Sequence, residues 1–307
     1  MDASGFLNID KPAGWTSFRV AALVRRRSGV RRVGHTGTLD PTATGVLLIC
    51  LGPATRLSEY VMELSKTYRA DVRLGVATDT FDAAGIPVSE ADPSGVSREQ
   101  VEEELSTFLG EIEQVPPLFS AIKHAGEPLY RYARTRREVE PRPRRVVIHR
   151  LELLSFDPPL LTIEMECGKG TYVRSLAHDL GRRLGCGAHL ASLVRLRVGP
   201  FVLEDACPLP NLEHAFDEGR WQDFLLPPDT AIAHWPRIDL AEEQATAVRF
   251  GQALAAETLA LSPPQQPAEG TLARAYDPQD ALLAVLRYDG EGAVWRPTKV
   301  FLAAPER

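Results

Sequence analysis

The chain contains no CxxC pair: its four cysteines, Cys50, Cys167, Cys186 and Cys207, lie far apart, which gives neither a zinc-ligand spacing nor a disulfide framework. Buried thiols in a reducing compartment are expected. No apolar run approaches the roughly 20 residues of a membrane-spanning helix, and the N-terminal stretch carries no signal-peptide core. A cytoplasmic protein without membrane contact is therefore expected. One glycine-rich stretch lacks the Gly-Lys-Ser/Thr that completes a phosphate-binding loop, which sets nucleotide binding aside. An excess of positive charge is also missing, since the net charge is −6. Taken whole, that balance argues against a nucleic-acid partner, but charge per segment is the quantity that matters.

The segments disagree. Residues 123–150 carry nine Lys/Arg against three Glu, residues 169–197 six against one Asp, and residues 1–35 seven against two, whereas residues 89–113 hold eight carboxylates and one arginine. Such segregation fits a polyanion bound on one face while another stays acidic. The 307 residues exceed the size at which one core usually suffices, and 44% hydrophobic with 25% charged residues is an ordinary globular composition, so about two domains are expected.

Residues 33–51, VGHTGTLDPTATGVLLICL, organise the rest. Gly34, Gly37 and Gly45 open backbone conformations closed to other residues, and Pro41 biases Asp40 towards an extended one. The unbroken apolar run 46–51 reads as a fully buried strand. Asp40 thus sits on a shaped, anchored loop, the leading candidate for chemistry. The ordinary alternative is an Asp-Pro turn whose carboxylate bonds only its own backbone.

Residues 6–9 read as a strand ending in a turn that carries Lys11, with Ser17 as the cap of a helix to about Arg27. Residues 67–74 alternate, placing Tyr68 on the buried side, where a tyrosine is usually core. Residues 75–85 read as a polar surface turn with no metal spacing. A capping box at Ser97 and Gln100 starts an acidic helix. The basic segment after Pro116 interleaves Phe119, Tyr130 and Tyr132 with its charges, as a surface that follows phosphates and stacks bases would, although a solvated charged face fits the same composition. Residues 161–167 alternate strictly. Residues 171–184 are helical in pattern, placing Tyr172 and Arg174 in the first turn, where an arginine opposes the helix dipole and is better explained by a nearby anion. A proline-rich edge at 227–236 precedes a smaller, net acidic unit with a helix at 242–250 and strands near 271–276, 282–288 and 294–301.

Together these stretches resemble one family, the TruB-type tRNA pseudouridine synthases. Gly34 to Gly45 match its GHTGxLDPxATG loop, Lys66, Tyr68 and Ala70 its Lys-x-Tyr-x-Ala strand, and Gly170 to Leu176 its Gly-Thr-Tyr-x-Arg-Ser-Leu segment. Asp10-Lys11-Pro12, Thr78-Asp79-Thr80 and Leu193-x-Arg195 match as well. Ordered motifs over this length are far more specific than any one alone.

The resemblance implies an α+β fold. Residues 1–235 would form a mixed, largely antiparallel sheet with flanking helices, the pseudouridine synthase fold, with a basic RNA-binding insertion at about 116–146. Residues 236–307 would form a small β-rich PUA-like domain. It implies a monomer that binds the T stem-loop of tRNA and isomerises its uridine to pseudouridine by base flipping, without cofactor or metal. Asp40 would be the nucleophile, acting at the base or the ribose. Tyr68 would stack on the flipped uracil and take the proton from its C5. Arg174 would pair with Asp40 and outweigh the pull of burial towards protonation. Lys11 would support the turn, His35 fill the space the base vacates, and Tyr172 and Leu193 line the pocket. Two other classes fit the same residues: a tRNA-folding chaperone with the modification secondary, and hydrolysis of an N-glycosidic bond, which would release free base.

Overall fold

The computed structural model describes residues 3–120, 122–135, 137–263 and 266–301. Expectations for Arg136, for the side chains of Tyr130 and Arg134, and for Pro264 and Gln265 fall outside the described residues. An eleven-stranded sheet runs Cys207–Pro208, Gly5–Lys11, Thr44–Leu51, Ala188–Val198, Lys66–Leu74, Leu160–Cys167, Arg144–Asp157, Gly110–Gln114, with Val33–His35, Phe201–Val202 and Leu225–Leu226 as side branches. Neighbours are antiparallel except where Gly5–Lys11 meets Cys207–Pro208 and Thr44–Leu51 meets Ala188–Val198. The fold is thus the expected mixed, largely antiparallel sheet with helices.

Thr44–Leu51 shows no polar alternation because both its faces are covered. Leu47, Ile49 and Leu51 pack with Val20 and Val24 of the helix Ser17–Ser28 and with Leu212 of the helix Leu209–Asp217. Val46, Leu48 and Cys50 face the other way, onto Phe6, Leu57, Val61 and Phe201. Burial of each such aliphatic side chain contributes about 1.5–3 kcal/mol, so this strand is a rigid base for the loop before it.

Leu160–Cys167 alternates as expected, with Leu161, Ile163, Met165 and Cys167 packed under the helices Arg98–Ser106 and Val173–Arg183. The helical side of the sheet therefore holds two cores, one under Ser17–Ser28 and one under Val173–Arg183. Half-buried Tyr68 and Leu193 touch both. They mark the seam between the cores.

A separate five-stranded sheet, Arg237–Asp239, Leu272–Tyr276, Leu282–Asp289, Val294–Val300, Leu254–Ala255, closes over Trp295 and the helix Glu242–Arg249. Its Val285 lies in the same buried cluster as Phe6, Val46 and Phe201 of the large sheet, and Lys299 Nζ reaches Glu59 Oε1 at 2.5 Å.

Three local expectations are corrected. The cap of the first helix is Thr16, whose side chain accepts from the Arg19 N–H, so Ser17 is free for another use. Tyr172 is the extended cap of Val173–Arg183, with φ −107°, rather than a first-turn residue. Residues 75–85 are not a plain surface turn: Thr78 is buried, and the Ala83 N–H bonds the Leu190 carbonyl.

Candidate active site

The loop that carries Asp40 is held on both flanks. Ser17, released from capping, accepts from the Leu39 N–H at 2.8 Å and donates to the Leu39 carbonyl at 3.1 Å. Lys11 is fully buried, and its ammonium donates to the carbonyls of Pro12 (2.9 Å), Trp15 (2.8 Å) and Pro41 (3.4 Å). The Gly14 N–H donates to the same Pro41 carbonyl at 2.8 Å, and the Gly45 N–H to Asp10 Oδ1 at 3.2 Å. Asp10-Lys11-Pro12 thus ties the first turn to the loop. Gly45 has φ +94°, and a Cβ there would lie 2.3 Å from the Arg195 carbonyl oxygen. No other residue fits that position unstrained.

Arg174 and Asp40, far apart in sequence, meet. Arg174 Nε lies 2.9 Å from Asp40 Oδ2, and its Nη1 lies 3.5 Å from Asp82 Oδ2. The remaining donors bond the Thr80 carbonyl (3.3 Å) and the Phe119 carbonyl (3.0 Å). The Arg174 side chain is 6% exposed and that of Asp40 36%, so the arginine is the fixed partner and the carboxylate faces the opening. This supplies the anion that the arginine at a helix start calls for.

Burial pushes the Asp40 carboxyl above its ordinary value of 3.8; Arg174 pulls it down, Asp82 pushes it up and Lys11 pulls it down, in that order of size. The expectation that the arginine outweighs burial is therefore reversed in direction. Two causes explain it: the pair is largely desolvated, and Asp82 takes part of the arginine's charge. Lys11 pays for its own burial by a pKa lowered to about 8, with Asp40 acting against that shift.

Tyr68 lies on the strand Lys66–Leu74, directly across from Arg195. Burial raises its hydroxyl above 10, while Arg195 acts in the opposite direction. The phenol is held neutral, which sets a cost on the expected role of proton acceptor. Asp40 contributes to the electrostatics at Tyr68, Tyr172 and Lys11 alike, and Leu193 packs against the same two cores as Tyr68. His35 ends the strand Val33–His35 at the start of the loop. Its pKa is lowered by burial and by Arg195, and its Nδ1 is buried with no hydrogen-bond partner among the described residues. It is a neutral ring under Arg195 influence, outside the Asp40–Arg174 pair.

Sequence reasoning missed three residues. Asp82 was read as part of a surface turn. Gln114 is buried and clamps Tyr172 like a strand neighbour, its Nε2 donating to the Tyr172 carbonyl at 3.0 Å and its Oε1 accepting from the Tyr172 N–H at 2.7 Å. Arg195, noted only as a motif match, is buried, donating from Nε to the Val46 carbonyl at 2.6 Å and from Nη2 to the Gly37 carbonyl at 3.2 Å. It braces the loop from below at both ends.

Among the described residues no cluster of three or more His, Cys, Asp and Glu side chains could hold a metal. A cavity of about 690 Å³ lined by Thr67, Arg69, Glu164, Glu166 and Arg197 lies on the opposite face of the sheet. Its charges pair with one another, Arg69 with Glu164 at 3.2 Å and Arg150 with Glu164 at 2.6 Å, and it has no share in the constellation around Asp40.

The family model of the TruB family pseudouridylate synthase N-terminal domain matches residues 25–173, and that of the tRNA pseudouridylate synthase B C-terminal domain matches residues 174–233. The tRNA pseudouridine synthase B of Dehalococcoides mccartyi is 44% identical over 300 residues, 98% of this chain and 97% of that protein. That of Symbiobacterium thermophilum is 51% identical over 255 residues, 82% of this chain and 83% of that one. Among solved structures, a chain of an H/ACA RNP bound to a substrate RNA containing 2'-deoxyuridine superposes with TM-score 0.75 at 25% identity, covering 97% of this chain and 85% of that chain. A chain of a Cbf5-Nop10-Gar1 complex gives 0.73 at 27% identity, covering 98% and 84%.

Proposed function

The chain belongs to the TruB family and is a tRNA pseudouridine synthase, and from that premise we propose that its target is a uridine in the T-arm loop and that Asp40 is the nucleophile. The observation that carries the reading is the Asp40–Arg174 contact at 2.9 Å on a loop tied down from both sides. A uridine inside a folded loop must leave its stack before the glycosidic bond can be reached, at a cost of a few kcal/mol. Tyr68 supplies the ring on which the extruded uracil stacks, Tyr172 and Leu193 supply walls, and His35 fills the vacated space. The reaction breaks the bond from N1 to the ribose C1′ and forms one from C5 to the same carbon. A proton leaves C5 and one ends on N1, so mass is unchanged. Asp40 holds the intermediate covalently while uracil turns over. Tyr68 is the group assigned to take the proton from C5 in this reading.

Residues 1–235 form the catalytic domain in this reading, with the insertion at about 116–146 gripping RNA, and residues 236–307 a PUA-like domain. The protein works as a cytoplasmic monomer. The test is incubation of the purified protein with an unmodified tRNA transcript, with pseudouridine mapped by its carbodiimide adduct and free uracil measured in parallel. A single adduct in the T loop and no free uracil are expected. Adducts confined to another arm would overturn the T-arm assignment, and free uracil would point to N-glycosidic hydrolysis instead.

A further inference from the structure

The helix Ser17–Ser28 turns Val20, Ala21, Leu23 and Val24 into the core. Its other side exposes Phe18, Arg19, Ala22, Arg25 and Arg26, a helical stripe by its spacing. Phe18 is 77% exposed, and the Arg19 guanidinium lies 3.9 Å over the Trp15 ring beside it. No acidic residue lies in the first turn. Arg27 is paired with Asp217, but among the described residues no ion pair engages Arg19, Arg25 or Arg26. The aromatic end of the stripe is bonded to the catalytic loop, through Trp15 to Lys11 and through Ser17 to Leu39, next to Asp40. The arginine end lies about 10 Å further along the axis, at about 1.5 Å per residue.

We infer that this face is an RNA-contact surface continuous with the active site: Phe18 stacks on an unpaired base flanking the reacting uridine, and Arg25 and Arg26 hold phosphates of the strand leading away from it. Charge and continuity select the occupant. A cationic stripe without acids, on a protein of net charge −6, starts at the rim of a site whose substrate is tRNA. An exposed ring among arginines suits bases and phosphates together. The inference rests on tRNA being the substrate and not on which arm is modified. The competing account is that the arginines only complement the helix dipole and that Phe18 is an isolated exposed apolar residue.

The test measures the dissociation constant of the full chain for one tRNA transcript over a range of salt, with thermal unfolding of each variant in parallel. Phe18→Ala is expected to weaken binding about tenfold, the size of one lost stack, with an unchanged salt slope, and Phe18→Trp to restore it. The Arg25→Ala, Arg26→Ala double variant is expected to reduce the slope of log affinity against log salt by about 2. Affinity within twofold of the parent for Phe18→Ala would overturn the stacking contact. An unchanged slope with only a lowered unfolding temperature in the double variant would overturn the phosphate contact in favour of the dipole account. Modification at another arm by the parent would refute the T-arm assignment while leaving these comparisons intact.

Discussion

Asp40 stands where two electrostatic effects oppose each other, and the balance is measurable. A carboxylate acts as a nucleophile only when ionised, and burial raises its pKa, so activity should fall on the acid side at a pH above the ordinary carboxylate value. Asp82 is a cause of that rise. Asp82→Asn is therefore expected to move the acid limb of the kcat/KM profile to lower pH; a limb that stays in place or rises would show that Asp82 does not act on Asp40 through its charge. Asp40 and Arg174 were legible in the sequence because each sits in a local pattern, a pre-proline acid among glycines and an arginine at a helix start; Lys11 entered only through the family resemblance, and it ends the strand Gly5–Lys11 instead of lying in the turn. Asp82, Gln114 and Arg195 were not legible. Their partners, Arg174, Tyr172 and the Gly37 and Val46 carbonyls, come from remote segments, and nothing near them in sequence signals the contact.

Among elements, the strands and most helices were legible because their apolar periods match their burial. Thr44–Leu51 read as doubly covered and Leu160–Cys167 as covered on one face, and both are. Helix ends were less so. Thr16 and Ser17 are both capping residues by type, serine the better, and the Leu39 backbone occupies Ser17 instead. The basic insertion read as loop-rich; it contains a two-residue ladder, Lys123–His124 with Glu127–Pro128, and the helix Leu129–Arg134. Within it Arg137 is paired with Glu127 and Arg145 with Glu111, both exposed. Such surface pairs are worth little and are easily exchanged for phosphates. Charge reversal at Arg142, Arg144 and Arg145 is expected to flatten the salt dependence of tRNA binding, and an unaltered slope would mean that the insertion does not touch RNA.

At the scale of the whole molecule, the small sheet has its own core around Trp295 but shares a second buried cluster with the large sheet. Val285 of the small sheet is buried with Phe6, Val46 and Phe201 of the large one, a contact that the proline-rich edge at 227–236 gave no means of foreseeing. One cooperative thermal transition is therefore expected. Truncation after residue 235 should lower its midpoint by exposing that cluster, and two separated transitions in the full chain would contradict the shared core. The central claim is the reaction of the full chain on tRNA through Asp40. Asp40→Asn keeps the size of the side chain and removes the nucleophile, so the purified variant should fold and bind a T-arm stem-loop about as well as the parent. Carbodiimide mapping of that stem-loop is the most direct test: the account predicts pseudouridine with the parent and none with Asp40→Asn, and product formed by the variant would contradict it.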